Sequence, residues 1–322
     1  MRPARTRLLA IAFVALLAAP GTWLRTPVAG DFRPILATFA IDPGAGRAGE
    51  LSIEGVWELD SPNVHFGGYS ALLALPDGRL LAASDRGRYL RFAPPGAAKR
   101  VPRFGAVGGD VEQRKYAVDI EALASDPARA HIWAAYERSN AIVRFGPDLL
   151  EGVESAPPAM RDWSGNSGPE TLARLADGRF LAIEEGPPDR PRRDYRALLF
   201  PGDPVEGGEP AAFRYAPPEG YNAVDGASLP DGRVLILNRR VVLGLPYSFE
   251  IVIVVADPRE IRAGEVWRGH EIGSIAAPLP VDNFEGIATV PRADGSVTVW
   301  LISDDNNSAF QRTLLYRLRW MP

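Results

Sequence analysis

The sequence of 322 residues contains no cysteine and only three histidines. The lack of cysteine excludes disulfide bonds, zinc–thiolate centres and a cysteine nucleophile. The histidines do not have the HExxH or HxH spacing of a histidine-rich metal site, so any metal would be a hard cation on oxygen ligands. The GxSxG motif that places a serine nucleophile is also missing.

Clustered positive charge is missing as well. The formal net charge is -4 and the sequence pI is near 5.6, which argues against nucleic acid as the main partner. The composition, 46% hydrophobic and 24% charged, is that of an ordinary globular protein. Its 32 glycines and 30 prolines fall mostly in short clusters between β-type segments, and this indicates an all-β fold with many tight turns.

The N-terminus has the pattern of an export signal. Arg2, Arg5 and Arg7 precede an apolar segment from Leu8 to Ala19, which is short for a membrane-spanning helix. We therefore expect residues 1–30 to be a signal peptide or an uncleaved N-terminal anchor, residues 31–50 a linker, and the protein periplasmic or secreted. Membrane contact is expected only through such an anchor.

An internal repeat dominates the rest of the chain. Each copy is an apolar strand, an Asp-Gly or Asp-Pro turn and a second apolar strand that ends in polar residues, which is a β-hairpin signature. The copies are marked by residues 70, 121, 170, 225 and 285. Third strands are predicted at 89–92, 142–145, 197–200, 251–255 and 314–318, and fourth strands at 211–215 and 271–276. Four antiparallel strands per repeat predict the blades of a β-propeller.

The spacing of the copies favours five blades, with six as the alternative if one of the longer intervals holds an irregular blade. The N-terminal strand from Leu51 to Leu59 is expected to complete the last blade and close the ring, because an open ring would leave an exposed strand edge. Residues 51–322 would then form one propeller domain, which we expect to be a monomer.

Carboxylates recur at the start of the first strand of four copies: Glu121, Glu170, Asp225 and Glu285. In a propeller these strands line the central channel, so the side chains should converge. Like charges in proximity raise one another's pKa, and a cation such as Ca²⁺ or an arginine should therefore lie among them. Arginines that follow second strands, Arg86, Arg138 and Arg239, are candidates to receive an anionic group. Hydrogen bonding and Arg pairing between blades, with no ligand, is the alternative.

Several segments resemble a known family, the phytase-like domain labelled esterase-like activity of phytase. The segments are 67–72, 84–87, 119–123, 166–170, 282–287 and 303–306. The resemblance covers the chain from about residue 50 to the end, and it implies an exported propeller that hydrolyses phosphate esters or other esters. True β-propeller phytases have a lysine-rich phosphate surface, whereas this chain has only Lys99 and Lys115.

The leading hypothesis is a Ca²⁺-assisted hydrolase of a small anionic or phosphorylated ester. The roles assigned are metal ligation by Glu121, Glu170, Asp225 and Glu285; catalysis by Glu121, Glu170, Glu285, Arg86 and Arg138; and substrate binding by Tyr69, Ser70, Asn166, Arg239, Asn283 and Asn306. A sugar-lactonase-like hydrolase would use the same ring. The alternative from another class is a non-catalytic periplasmic ligand-binding or scaffolding propeller.

Overall fold

A computed structural model describes residues 30–109, 119–126, 130–163, 168–185, 193–244 and 247–322, together with residues 13, 14 and 128. The chain divides into two compact units, Met1–Asp31 and Phe32–Pro322. Nearly all of the expected signal peptide or anchor lies outside the described residues. Among the residues that are described, no helix has the length and apolar character needed to cross a membrane.

The described strands of the larger unit form five sheets. Three strands precede the first repeat: β1 (Ala37–Ile41), β2 (Arg47–Ala48) and β3 (Leu51–Asp60). Blade 1 contains β4 (Tyr69–Ala74), β5 (Leu80–Ser84), β6 (Arg88–Phe92) and β7 (Arg103–Ala106). Blade 2 contains β8 (Ile120–Asp126), β9 (His131–Tyr136), β10 (Ala141–Phe145) and β11 (Gly152–Ser155).

Blade 3 contains β12 (Pro169–Arg174), β13 (Phe180–Glu184), β14 (Tyr195–Phe200) and β15 (Ala211–Tyr215). Blade 4 contains β16 (Asn222–Ser228), β17 (Val234–Val242), β18 (Ser248–Ala256) and, after β19 (Val266–Trp267), β20 (His270–Ile275); β19 pairs with β15. Blade 5 contains β21 (Asn283–Pro291), β22 (Val297–Asp304) and β23 (Thr313–Trp320). Short 3-10 helices lie at Pro158–Met160 and Pro258–Glu260.

The fold is therefore an all-β propeller with five blades, as the repeat predicted. Each predicted third strand overlaps an observed one, and the predicted fourth strands at 211–215 and 271–276 correspond to β15 and β20. Residues 31–50 were expected to be a linker, but they contribute β1 and β2, and both strands pair with β3. These two strands belong to blade 5.

Closure of the ring depends on the N-terminal strand. β3 pairs antiparallel with β23, from Ser52 opposite Arg319 to Leu59 opposite Thr313. Blade 5 thus takes its inner three strands from the end of the chain and its outer strands from the beginning, which confirms the predicted closure. The innermost strands β4, β8, β12, β16 and β21 contact one another in order around the ring, and β21 contacts β4.

The hydrophobic core lies between the blades. Among the described residues, five clusters of buried apolar side chains fill the five interfaces between neighbouring blades. At the interface of blades 2 and 3, for example, the rings of Trp133 and Phe180 pack edge to face with centroids 4.9 Å apart. The burial of apolar surface is non-directional. It therefore holds the blades together but does not fix their positions along the channel axis.

Asp225 supplies a directional contact across the centre of the ring. Its side chain is buried, Oδ1 accepts a hydrogen bond from the Gly226 N–H at 2.8 Å, and Oδ2 accepts one from the Ile287 N–H at 2.8 Å. The backbone N–H of Leu72 also hydrogen-bonds to this carboxyl. A single side chain of blade 4 is thereby bonded to blade 5 and to blade 1.

We predict that Asp225→Ala destabilises the propeller by about 3 kcal/mol, because it leaves buried N–H groups without an acceptor. For a domain of this size the melting temperature should fall by about 5 °C. Asp231→Ala, in an exposed Asp-Gly turn, is the control and should change it by about 1 °C or less. Equal melting temperatures for Asp225→Ala and the wild type would contradict the assigned role.

Candidate functional site

A β-bulge lies at the start of every innermost strand. The strand register skips one residue in each of them, namely Ser70, Glu121, Glu170, Val224 and Glu285. A bulge redirects a side chain at a sheet end and is common beside functional sites. The three glutamates therefore occupy one equivalent position in three blades, and the fold brings them to the same end of the channel.

The register corrects the sequence alignment of the fourth copy. Val224 is the residue equivalent to the glutamates, and Asp225 lies one position later, level with Ala71, Ala122 and Thr171. In a strand, a shift of one residue changes the environment of the side chain. Both oxygens of Asp225 accept backbone hydrogen bonds, so we do not include it among candidate metal ligands.

A second set of charged residues lies at the ends of the second strands. In each blade this residue directly follows the partner of the residue just before the bulge. The five residues are Asp85, Glu137, Glu185, Arg239 and Asp304. The four acidic ones, together with Asp119 and the three bulged glutamates, form the group that we call the acidic mouth: Asp85, Asp119, Glu121, Glu137, Glu170, Glu185, Glu285 and Asp304.

Three of these carboxylates lie close enough together to hold an ion. Asp119, Glu121 and Glu137 each offer a carboxylate oxygen, and these oxygens lie within 4.8 Å of one another. Asp119 and Glu137 are joined through their backbones, since the Glu137 N–H donates to the Asp119 carbonyl at 2.9 Å. Oxygen donors with several negative charges suit a hard divalent cation. The acidic triad could therefore bind such an ion.

Arg239 is the cation within the mouth. Its guanidinium donates to Asn283 Oδ1 at 2.5 Å, to Glu285 Oε1 and, at 3.4 Å, to Glu185 Oε1. Asn283 Nδ2 also donates to Glu285 Oε1, at 2.8 Å. Burial acts to lower the pKa of Arg239, but Glu285 and Glu185 outweigh it and raise the pKa above its usual value. Arg239 and Asn283 thus hold the carboxylates in place and are themselves occupied.

Several carboxyls of the mouth have raised pKa values. Burial, reinforced by neighbouring carboxylates, raises the pKa of Glu121 and of Glu170 well above the usual value. Burial together with Asp119 raises the pKa of Glu137 to about 7, and burial together with Glu285 raises that of Asp304 to about 8. The mouth cannot be fully ionised at neutral pH unless a cation compensates its charge.

Two of the candidate arginines lie on the rim of the mouth. Arg138 Nε donates to Asp119 Oδ2 at 2.8 Å, and 58% of the Arg138 side chain is exposed. Arg86 is exposed beside Asp85, whose pKa is raised by burial and partly lowered again by the Arg86 charge. Asn306 is also exposed, and its N–H donates to Asp304 Oδ1 at 2.6 Å. Asn166 lies outside the described residues.

Tyr69 and Ser70, which the sequence suggested for substrate binding, are buried. The ring of Tyr69 is fully buried and packs edge to face on Phe66 at 5.6 Å. Ser70 Oγ donates to the Ile120 carbonyl of blade 2 at 2.5 Å, which joins two blades. Since neither side chain reaches solvent, both have structural roles here and we do not include them in the proposed site.

The acidic triad contains two residues that the sequence analysis did not assign to the metal. Asp119 stands two residues before Glu121. Glu137 lies at the end of a second strand, and Asp85, Glu185 and Asp304 lie at the same place in other blades. The recurrence of a charged residue at that strand end was the available signal. It does not reveal which members of the ring approach one another.

Comparison with known proteins provides the family. The family model described as phytase-like, esterase-like activity of phytase, matches residues 64–307, which is most of the chain. The chain belongs to the phytase-like family. The resemblance inferred from the sequence is thereby confirmed, and membership supports a hydrolase-like propeller enzyme. No protein with a curated function matches the chain.

Solved structures are similar to this phytase-like propeller at low identity. Glutaminyl cyclase of Myxococcus xanthus is 13% identical, with a TM-score of 0.47, and 84% of this chain and 95% of that chain are covered. The PQQ-bound aldose sugar dehydrogenase of Streptomyces coelicolor is 12% identical, with a TM-score of 0.45 and coverages of 89% and 100%. Likeness at this level carries no argument about function.

We predict that Ca²⁺ stabilises this phytase-like protein, since an ion that binds only the folded state raises its stability with occupancy. At a concentration 100 times the dissociation constant, the gain would be about 2.7 kcal/mol. Asp119→Asn and Glu137→Gln should remove the increase in melting temperature. Glu154→Gln, on the exposed outer strand of the same blade, should retain it. An unchanged wild-type melting curve at millimolar Ca²⁺ would exclude a calcium site here.

We also predict that the metal-free protein loses stability as the pH rises. The pKa values of Glu137, about 7, and Asp304, about 8, exceed their usual 4.5 and 3.8, so both carboxyls bind protons more tightly in the folded chain. Their contribution is complete below about pH 4 and is lost as the pH rises through 7 to 8. Melting curves in EDTA between pH 5 and 9 measure it. Glu137→Gln should flatten the decline and Glu154→Gln should not; a constant wild-type melting temperature would refute the assignment.

Proposed function

We propose that the protein is an exported hydrolase of esters or phosphoesters, and that it uses a calcium ion held by Asp119, Glu121 and Glu137. One observation carries the proposal: the oxygens of these three carboxylates lie within 4.8 Å of one another at the end of the channel. The family description, which names an esterase-like activity, supports the reaction class.

The chemistry of the donors supports calcium. All three groups are carboxylates, and calcium takes six to eight oxygen ligands with flexible geometry. Glu121 is also influenced by Glu285 and Asp85, so additional negative charge lies nearby. When bound, the ion supplies Lewis-acid polarisation of the ester oxygen and compensates the charge of the mouth.

Glu170 is the residue best suited to give a proton. It is 8% exposed, and burial together with Glu185 raises its pKa well above the usual value, so it holds a proton more tightly than an ordinary glutamate. A protonated carboxyl can donate to the oxygen of the departing alcohol, a role that general acids have in other hydrolases. Glu285 and Glu185, whose charges help to raise the pKa of Glu170, are both held by Arg239.

Binding of the substrate is assigned to the rim. Arg138 and Arg86 are exposed beside Asp119 and Asp85, and a guanidinium fork matches the oxygens of a phosphate or carboxylate. Asn306 is an exposed amide at the same edge. Arg239, which is buried and already bonded to three side chains, acts as a positioning residue and not as the anion receptor proposed from the sequence.

Activity against a panel of p-nitrophenyl esters and p-nitrophenyl phosphate, with Ca²⁺ or with EDTA, tests the proposal. We expect hydrolysis that requires Ca²⁺ and that falls by about 100-fold or more in Glu170→Gln, since general acids contribute about that factor. Glu154→Gln is the control and should be fully active. Absence of turnover across the panel, in folded protein that binds Ca²⁺, would favour the non-catalytic ligand-binding propeller.

The location, the removal of residues 1–30 and the monomeric state are also proposals. The charged and apolar segments at the N-terminus support export. The N-terminal residue of the protein recovered from cells would distinguish a cleaved signal from a retained anchor.

A further inference from the structure

Exposed apolar side chains lie on two segments that extend beyond the acidic mouth. On blade 4, β17 continues beyond Arg239 and carries Val241, which is 45% exposed. The connection from β17 to β18 carries Leu243 and Tyr247, which are 90% and 51% exposed. On blade 5, the connection from β22 to β23 carries Phe310, which is 96% exposed. We call these four side chains the apolar rim.

Hydrogen bonds join the apolar rim to the mouth. Tyr247 Oη donates to Gln311 Oε1 at 3.3 Å, and this bond links the two segments. Gln311 Oε1 also accepts from Asn306 Nδ2 at 3.2 Å, and Asn306 is bonded through its backbone to Asp304 of the mouth. Within β17, Val241 lies two residues after Arg239 and hence on the same side of the strand. The rim is therefore continuous with the site.

Isolated exposed apolar residues are common on protein surfaces, but several of them next to a candidate site indicate a binding surface. Leu243 and Phe310 in particular expose nearly their whole side chains to water. Such side chains gain free energy when an apolar group of a ligand covers them. The ligand group that the rim suits is an alkyl, acyl or aromatic one.

The charge of the mouth also narrows the class of substrate. The mouth contains eight carboxyl groups, some of which have raised pKa values, and the cations identified beside them are Arg86, Arg138 and Arg239. Arg239 is already bonded to Glu285 and Glu185. A substrate with many phosphate groups would meet repulsion at several points even with one calcium ion bound. A substrate with a single ester centre would not.

We propose that the substrate is a carboxylic or phosphoric ester with one ester centre and an apolar substituent that lies on the apolar rim. The inference rests on the proposed function and narrows its substrate class, away from polyphosphorylated compounds. Hydrolysis adds water across the ester bond: the hydroxyl goes to the acyl carbon or phosphorus, the bond to the alcohol oxygen breaks, and that oxygen takes the proton.

The test compares p-nitrophenyl acetate with p-nitrophenyl hexanoate. We expect kcat/KM to be about tenfold higher for the hexanoate in the wild type, a fraction of what full burial of four methylene groups would give. In the double variant Leu243→Ser with Phe310→Ser, the ratio should fall to near one. Val153→Ser and Phe39→Ser, 56% and 55% exposed on outer strands of blades 2 and 5, are matched controls that should keep the ratio.

Turnover without a preference for the hexanoate, or with a preference that the double variant retains, overturns the inference while leaving the hydrolase proposal intact. If no ester is hydrolysed, calorimetry with methylphosphonate and hexylphosphonate decides separately. About tenfold tighter binding of hexylphosphonate, lost in the double variant, would support the apolar rim although the hydrolase proposal had failed. Equal affinities for the two phosphonates would overturn the rim as a binding surface.

Discussion

The pairing of β3 with β23 is the interaction on which the site depends. It places the first and last parts of the chain in one sheet. The ring is thereby closed, and β23 does not remain as an unpaired edge strand. Only in a closed ring does β21 contact β4, and only then does Glu285 approach the carboxylates of blades 1 and 2. The chemistry at the channel end is thus a consequence of a long-range backbone pairing.

Closure has an electrostatic cost, because eight carboxylates converge where solvent is partly excluded. The structure offsets it in two ways: Arg239 and Asn283 bond to Glu285, and the pKa values of several carboxyls are raised, that of Asp304 to about 8. Charge arranged in this way contributes little to folding and is instead expected where a ligand is bound. Asp225 differs from the carboxyls of the mouth. It lies one residue after the bulge of its strand, its oxygens accept hydrogen bonds from backbone N–H groups, and it serves stability alone.

Much of the fold could be predicted from the sequence, because each repeat encodes its own hairpin through local turn chemistry and alternating polarity. The three glutamates at 121, 170 and 285 could be aligned for the same reason. Asp225 could not be, since a bulge inserts one residue into the register and the sequence does not show which of two neighbours is the extra one. The burial of Tyr69 depends on packing between blades, and the role of Glu137 depends on how the β8–β9 hairpin of blade 2 brings its carboxylate to Asp119 and Glu121.

The sequence by itself favoured five blades and indicated the closing strand and the excess of acidic residues at strand ends, because these follow from patterns repeated locally. Particular segments of the sequence carried the resemblance to the family. The tertiary structure alone decided which carboxylates meet, which arginine is buried among them and which side chains are left as an exposed apolar rim. The acidic triad forms within one hairpin of blade 2, but the other outcomes depend on distances between residues of different blades, and such distances are fixed only when the ring is closed.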